Sequence, residues 1–73
     1  MRVLISVDME GATGVCHPDH LMPGGQDYKA ARRWLTGDVN AAIRGATAAG
    51  ATDVLVADGH GTMRNIVLEQ LDP

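Results

Sequence analysis

Arg2-Val3-Leu4-Ile5-Ser6-Val7-Asp8-Met9-Glu10-Gly11 decides the fold. Arg2 to Val7 is rich in β-branched residues and lacks strict polar/apolar alternation. That is the pattern of a strand covered on both faces, as in a parallel sheet. The run closes on two acidic residues two apart, followed by a glycine. The chain repeats this device once: Asp53 to Ala57 reads as a second strand, closing on Asp58-Gly59-His60-Gly61. Between the two, from about Asp27, the period changes. Tyr28, Ala31, Leu35, Val39, Ala42, Ile43 and Ala46 recur at the spacing of one helix face. Asp27 is placed to cap that helix and Gly50 to stop it. Gly37, inside it, predicts a kink or a fray. A second helix is expected after Thr62, with Met63, Ile66, Val67 and Leu71 on one face and Asp72-Pro73 ending it.

The expected architecture is therefore α/β, a β-α-β-α unit with parallel strands joined by a helical crossover. Two such strands with helices on one side leave a sheet face and both edges open. Residues 1–73 are accordingly expected to be the N-terminal part of a larger parallel-sheet domain. The alternative is a small protein that completes its sheet by self-assembly. Gly11 to Gln26 lacks periodicity, and a loop of that length in a compact domain is usually functional or mobile. Trp34 lies off the helix stripe, suiting either partial exposure or a buried contact.

Composition narrows the function. Seventy-three residues make one small domain at most, and at that size only about 60–65% of the unfolded chain's surface is buried. Phe is absent, so the core rests on aliphatic side chains and Met. Nine acidic against six basic residues give a net charge of −3, which argues against nucleic acid or anionic lipid as a partner. The single Cys excludes an internal disulfide and fits a reducing compartment. No segment approaches the ~20 apolar residues of a membrane span, and the N-terminal run does not resemble a signal peptide. These features predict a cytoplasmic protein.

Side chains two apart on a strand share a side. Asp8 and Glu10 should project together, and so should Asp58 and His60. Parallel strands end at one sheet edge, the edge where open α/β sheets carry their sites. Two carboxylates brought together repel unless a cation lies between them or one is protonated. Carboxylates with an imidazole suit Zn²⁺, Mn²⁺ or Fe²⁺ better than Ca²⁺. Asp8, Glu10 and His60 are thus candidate metal ligands. Asp58 would either orient the imidazole from outside the ligand set or cap the helix expected to follow. His17 and His20 could seed another metal site, although Pro18 breaks any helix there. Cys16 has no identifiable activating base. Arg64, expected in the first turn of a helix, could receive a substrate carboxylate.

These blocks resemble a known family. Ser6-Val7-Asp8-Met9-Glu10-Gly11, Leu35-Thr36-x-Asp38-Val39-Asn40-Ala41-Ala42-Ile43 and Asp58-x-His60-Gly61-x-Met63-Arg64-Asn65 follow, in order and spacing, the pattern of the M55 metallopeptidases, D-aminopeptidases of the DppA type. The resemblance implies a cytoplasmic α/β enzyme with two zinc ions per site, assembled as a decameric ring. Such an enzyme releases N-terminal D-amino acids, D-Ala above all, from short peptides by metal-assisted hydrolysis. It implies that Asp8, Glu10 and His60 ligate zinc, with Asp8 suited to bridge both ions. The family's remaining His and Glu ligands and its catalytic His lie beyond residue 73, so the segment alone should be inactive. Gly59 stands where the family often has Ser. Two competing readings remain. Asp8-x-Glu10-Gly11-x-Thr13 is faintly similar to the Mg²⁺-dependent haloacid-dehalogenase phosphohydrolases, which have Asp at the second acidic position and no use for His60. The chain could also be a non-catalytic, metal-binding or self-assembling fragment.

Overall fold

The computed structural model describes residues 1–71. Strand β1 (Arg2–Val7) is followed by a 3₁₀ turn at Pro18–His20, helix α1 (Tyr28–Ala48), strand β2 (Asp53–Asp58) and a second 3₁₀ turn at Leu68–Gln70. β1 and β2 pair in parallel, in register from Arg2 beside Asp53 to Val7 beside Asp58. The α/β architecture and the helical crossover are as the sequence pattern predicts.

α1 runs unbroken through Gly37. It buries Tyr28, Ala31, Leu35, Thr36 and Val39, and Ile43 packs at the margin of the same cluster. Ala42, expected on that stripe, is exposed. The helix ends as Gly50 predicts. At φ +102°, Gly50 donates its N–H to Thr47 (3.0 Å), and Ala51 donates to Ala46 (3.0 Å). This is the paired back-bonding that a left-handed residue after a helix allows. The start is different. Asp27 holds the cap position, but its side chain makes no capping bond and lies 3.9 Å from the His20 ring instead.

α1 covers one face of the sheet. Val7 and Met9 from the β1 end, the α1 stripe and Ile66 form the core. On the other face Leu4 and Leu55, side by side in the register, are 65% and 68% exposed. The strands are apolar on both faces but covered on one, which is why their sequences fail to alternate while their burial does. Met9 is wholly buried. It drops into the core between Asp8 and Glu10 and so turns both carboxylates outward. Met9→Ala should lower the unfolding free energy by about 2–5 kcal/mol through lost burial and cavity formation. Denaturant titration checks this, and the loss should not depend on pH.

The predicted second helix does not form. Gly61 and Met63 adopt left-handed backbone angles (φ +50° and +63°), which interrupt a helix at its first turn. The N–H groups of Asn65 and Ile66 donate to the Asp58 carboxylate, and that of Val67 to the Thr36 hydroxyl. Side chains thus take the donors that a helical ladder would use. Of the residues expected on its face, Ile66 is buried and Met63 is largely exposed. Asp72 and Pro73, expected to end the helix, lie outside the described residues.

Candidate metal centre

Parallel pairing brings the C-terminal ends of β1 and β2 to one edge, and the ladder continues one step beyond the strands. Gly59 donates its N–H to the Val7 carbonyl at 2.8 Å. Asp8 and the His60 loop therefore leave the sheet side by side. A Cβ at position 59 would stand 3.2 Å from the Val7 carbonyl oxygen. A Ser there would need the Val7 carbonyl to give by a few tenths of an ångström.

β1 ends at Val7, and the chain then turns, with Ala12 donating to the Met9 carbonyl (3.1 Å). Asp8 and Glu10 nevertheless share a side, because Met9 is anchored in the core. They meet His60. Its Nδ1 lies 2.8 Å from Asp8 Oδ1 and 3.0 Å from Glu10 Oε1. One ligand atom from each residue falls within 4.8 Å of the others. The two carboxylates are 60% and 62% exposed, whereas the imidazole is only 14% exposed. The site is an open acidic rim on a fixed nitrogen.

The other ring nitrogen is committed. His60 Nε2 lies 2.7 Å from the Leu21 carbonyl oxygen. A carbonyl can only accept, so Nε2 carries hydrogen. Nδ1 is then the atom that holds either a proton or a cation. A backbone carbonyl on the outer nitrogen is the usual partner of a metal-ligating His. The hydrogen bond to the Leu21 carbonyl is the main force raising the His60 pKa above the ordinary imidazole value; burial opposes it, and Asp8 and Glu10 add to it. The Asp8 carboxyl is held below its usual range by hydrogen bonding with Glu10 and then with His60. The group is built around one positive charge.

Asp58 does not orient the imidazole. Its oxygens accept from the N–H of Asn65 (2.6 Å), the Asn65 side-chain amide (2.9 Å) and the N–H of Ile66 (2.9 Å). Nor does it cap a helix, since none follows it among the described residues; Asp58 instead fixes the loop that carries His60. From α1, Arg32 donates to the Asn65 and Ile66 carbonyls (3.0 and 3.2 Å), and the Tyr28 hydroxyl donates to the Asn65 amide oxygen.

The loop histidines stand apart from this group. His20 is buried. Its Nδ1 accepts from the N–H groups of Cys16 and His17, and its ring packs edge-on against the half-exposed Trp34 at 5.4 Å. His17 caps the 3₁₀ turn. Both histidines are structural in this fold, and Cys16 is an exposed thiol. Arg64 begins no helix. It borders a shallow cleft with Pro23, Tyr28, Arg32 and Thr62, separate from the two carboxylates. Two participants have no role legible in residue type or spacing: the Leu21 carbonyl, because a backbone group leaves no residue-type signal, and Asn65, which closes the third family block but lies on a segment expected to be helical.

Comparison with known proteins gives a consistent result. The family model described as D-aminopeptidase (Peptidase_M55) matches residues 1–73. A D-aminopeptidase of Bacillus subtilis (strain 168) is 37% identical over the whole chain. A solved structure, "Zn-dependent D-aminopeptidase DppA from Bacillus subtilis, a self-compartmentalizing protease", superposes with a TM-score of 0.97 at 37% identity over the whole chain. The chain spans 27% of the length of each of these relatives.

Proposed function

The chain belongs to the M55 D-aminopeptidase family, and from that premise we propose that it is the N-terminal segment of a single-domain zinc aminopeptidase. The enzyme would release N-terminal D-amino acids, D-Ala among them, from short peptides. The observation that carries this reading is the convergence of Asp8, Glu10 and His60 Nδ1 at one sheet edge. Donors of two carboxylate oxygens and one imidazole nitrogen suit zinc, and the outer hydrogen bond to the Leu21 carbonyl completes the fit.

When bound, zinc supplies an acidified water and polarises the scissile carbonyl. The chain's own residues do the rest. Asp8 and Glu10 would provide the negative charge that holds the cation, and by family resemblance Asp8 is the proposed ligand shared with a second ion. His60 would hold the cation through a deprotonated Nδ1, its ring kept in orientation by the Nε2 bond to the Leu21 carbonyl. The remaining ligands and the catalytic His would come from residues beyond this segment, which alone would be inactive. Arg64 is proposed for the carboxylate end of the substrate, on the cleft it shares with Arg32. A cytoplasmic location and a homo-oligomeric ring, a decamer by family resemblance, belong to the same proposal. The phosphohydrolase reading is set aside, since it has no use for His60.

Purified full-length protein should release D-Ala from D-Ala-containing dipeptides, lose that activity on chelation and regain it with zinc. The L-Ala counterparts should be turned over far more slowly. Turnover that survives chelation, or that favours the L-peptide, would overturn the reading.

Zinc affinity should also depend on pH with a defined sign. The folded His60 holds its Nδ1 proton to a higher pH than a free imidazole does, and zinc must displace that proton. Affinity should therefore fall about tenfold per pH unit below the raised pKa and level off above it. Competition titration against a zinc indicator between about pH 5.5 and 8 reads this out around the ordinary imidazole range.

A further inference from the structure

We propose that Asn65 is the positioning residue of the metal centre, its buried amide locking the loop that aims His60 Nδ1 at Asp8 and Glu10. The inference rests on the zinc reading above and extends it to a residue outside the ligand set.

Asn65 is 1% exposed, and all of its polar groups are engaged. Its backbone N–H donates to Asp58 Oδ2 at 2.6 Å, and its backbone carbonyl accepts from Arg32 Nε at 3.0 Å. The side-chain nitrogen donates to Asp58 Oδ1 at 2.9 Å and to the His60 backbone carbonyl at 2.5 Å. The side-chain oxygen accepts from the Tyr28 hydroxyl. An amide has two donors on one side and an acceptor on the other. The Asp58 carboxylate and the His60 carbonyl can only accept, so a flipped amide would set oxygen against oxygen twice. One orientation is therefore imposed, and Tyr28 supplies the hydroxyl that the amide oxygen then needs.

The distribution of bonds separates positioning from simple folding. Asp58 and Arg32 already hold the backbone at 65–66 through main-chain groups. The Asn65 amide adds something different: a bond to the residue that carries the imidazole. Between them lie Gly61 and Met63, both in left-handed conformations, so the segment has other backbone choices once the bond is removed. His60 is then fixed at two points, its carbonyl by Asn65 and its Nε2 by the Leu21 carbonyl. Metal sites lose function when such supports are displaced by about 1 Å.

The test measures zinc dissociation constants of the complete, zinc-depleted protein by chelator competition, alongside unfolding midpoints. Asn65→Ala should weaken zinc binding by about 10–100-fold, as loss of an outer support does. Tyr28→Phe, which removes one hydroxyl and keeps the ring packed, should weaken it by up to about tenfold on the same grounds. Ile43→Ala, at the margin of the core in the C-terminal half of α1 and outside the cleft that Asp8 and Glu10 line, should lower the unfolding midpoint but leave zinc affinity within about twofold, because burial and cavity terms act on stability. The ring ¹⁵N resonances of His60 should broaden or split in the metal-free Asn65 and Tyr28 variants and stay single in the Ile43 variant. Wild-type affinity in Tyr28→Phe and in any folded Asn65→Ala would overturn the proposal, as would an equal loss in Ile43→Ala. His60→Ala separates the two levels: if that variant keeps its zinc, the zinc reading fails; if it loses zinc while the Asn65 and Tyr28 variants do not, only the positioning role fails.

Discussion

His60→Ala is expected to strip the protein of zinc at this site, with an affinity loss exceeding the about 10–100-fold that outer supports cost. The reason lies in the donor set. His60 supplies the one nitrogen of the group, and it is the least exposed member, whereas Asp8 and Glu10 are more than half exposed. Two exposed carboxylates alone form a loose, hard-oxygen site better matched to Mg²⁺ or Ca²⁺. Asp8→Asn and Glu10→Gln keep the side-chain shapes and remove one negative charge each. Each should also lower zinc content, because the repulsion that the cation relieves is then reduced along with its attraction. Metal analysis per subunit, paired with a competition titration, reads all three variants. Unchanged zinc stoichiometry across them would contradict the ligand assignment.

Asp58→Ala is expected to be the most destabilising substitution in the His60 loop, by roughly 3–5 kcal/mol, since each buried donor left without its partner costs about 1–3 kcal/mol. Three such donors point at this carboxylate: the Asn65 and Ile66 N–H groups and the Asn65 amide. The pH signature has a definite sign. Burial pushes the Asp58 pKa up, but hydrogen bonds from the Asn65 side chain and from the Ile66, Asn65 and His60 backbones outweigh it, and the folded pKa lies below the ordinary value. A depressed folded pKa means that the stabilisation is complete above the unfolded carboxylate range and is lost as pH falls through the folded pKa. Stability of the wild type should thus fall in acid more steeply than that of Asp58→Asn, which has no charge to lose. Urea titrations of both proteins between about pH 2 and 7 measure the difference across the carboxylate range. Parallel curves would show that Asp58 does not hold the loop as an anion.

The strands, the crossover helix and the three candidate ligands were legible because each rests on a local pattern. Arg2–Val7 carries the β-branched run, α1 carries one apolar stripe and a Gly50 stop, and the acidic residues mark both strand ends. Asp8 and Glu10 share a side for a different reason from the one the pattern suggests. The strand has already ended, and the burial of Met9 sets their direction. The segment after Thr62 departs from its local pattern. Its apolar spacing fits a helix, but its backbone donors are claimed by Asp58 and Thr36, residues distant in sequence. Tertiary hydrogen bonds decided against local propensity there. The same long-range origin concealed Asn65 and the Leu21 carbonyl, whose roles depend on which groups the fold brings to His60. The exposed Leu4–Leu55 pair, by contrast, is the open sheet face that two parallel strands with helical cover on one side were expected to leave.

Crystallography of the zinc-loaded full-length protein, with anomalous difference density collected at the zinc edge, would locate the metal against the two strand ends. Zinc is expected within about 2.0–2.2 Å of His60 Nδ1 and of carboxylate oxygens from Asp8 and Glu10, with Nε2 still bonded to the Leu21 carbonyl. A zinc ion ligated through His60 Nε2, or strand ends without zinc while the metal is bound elsewhere, would contradict the ligand assignment.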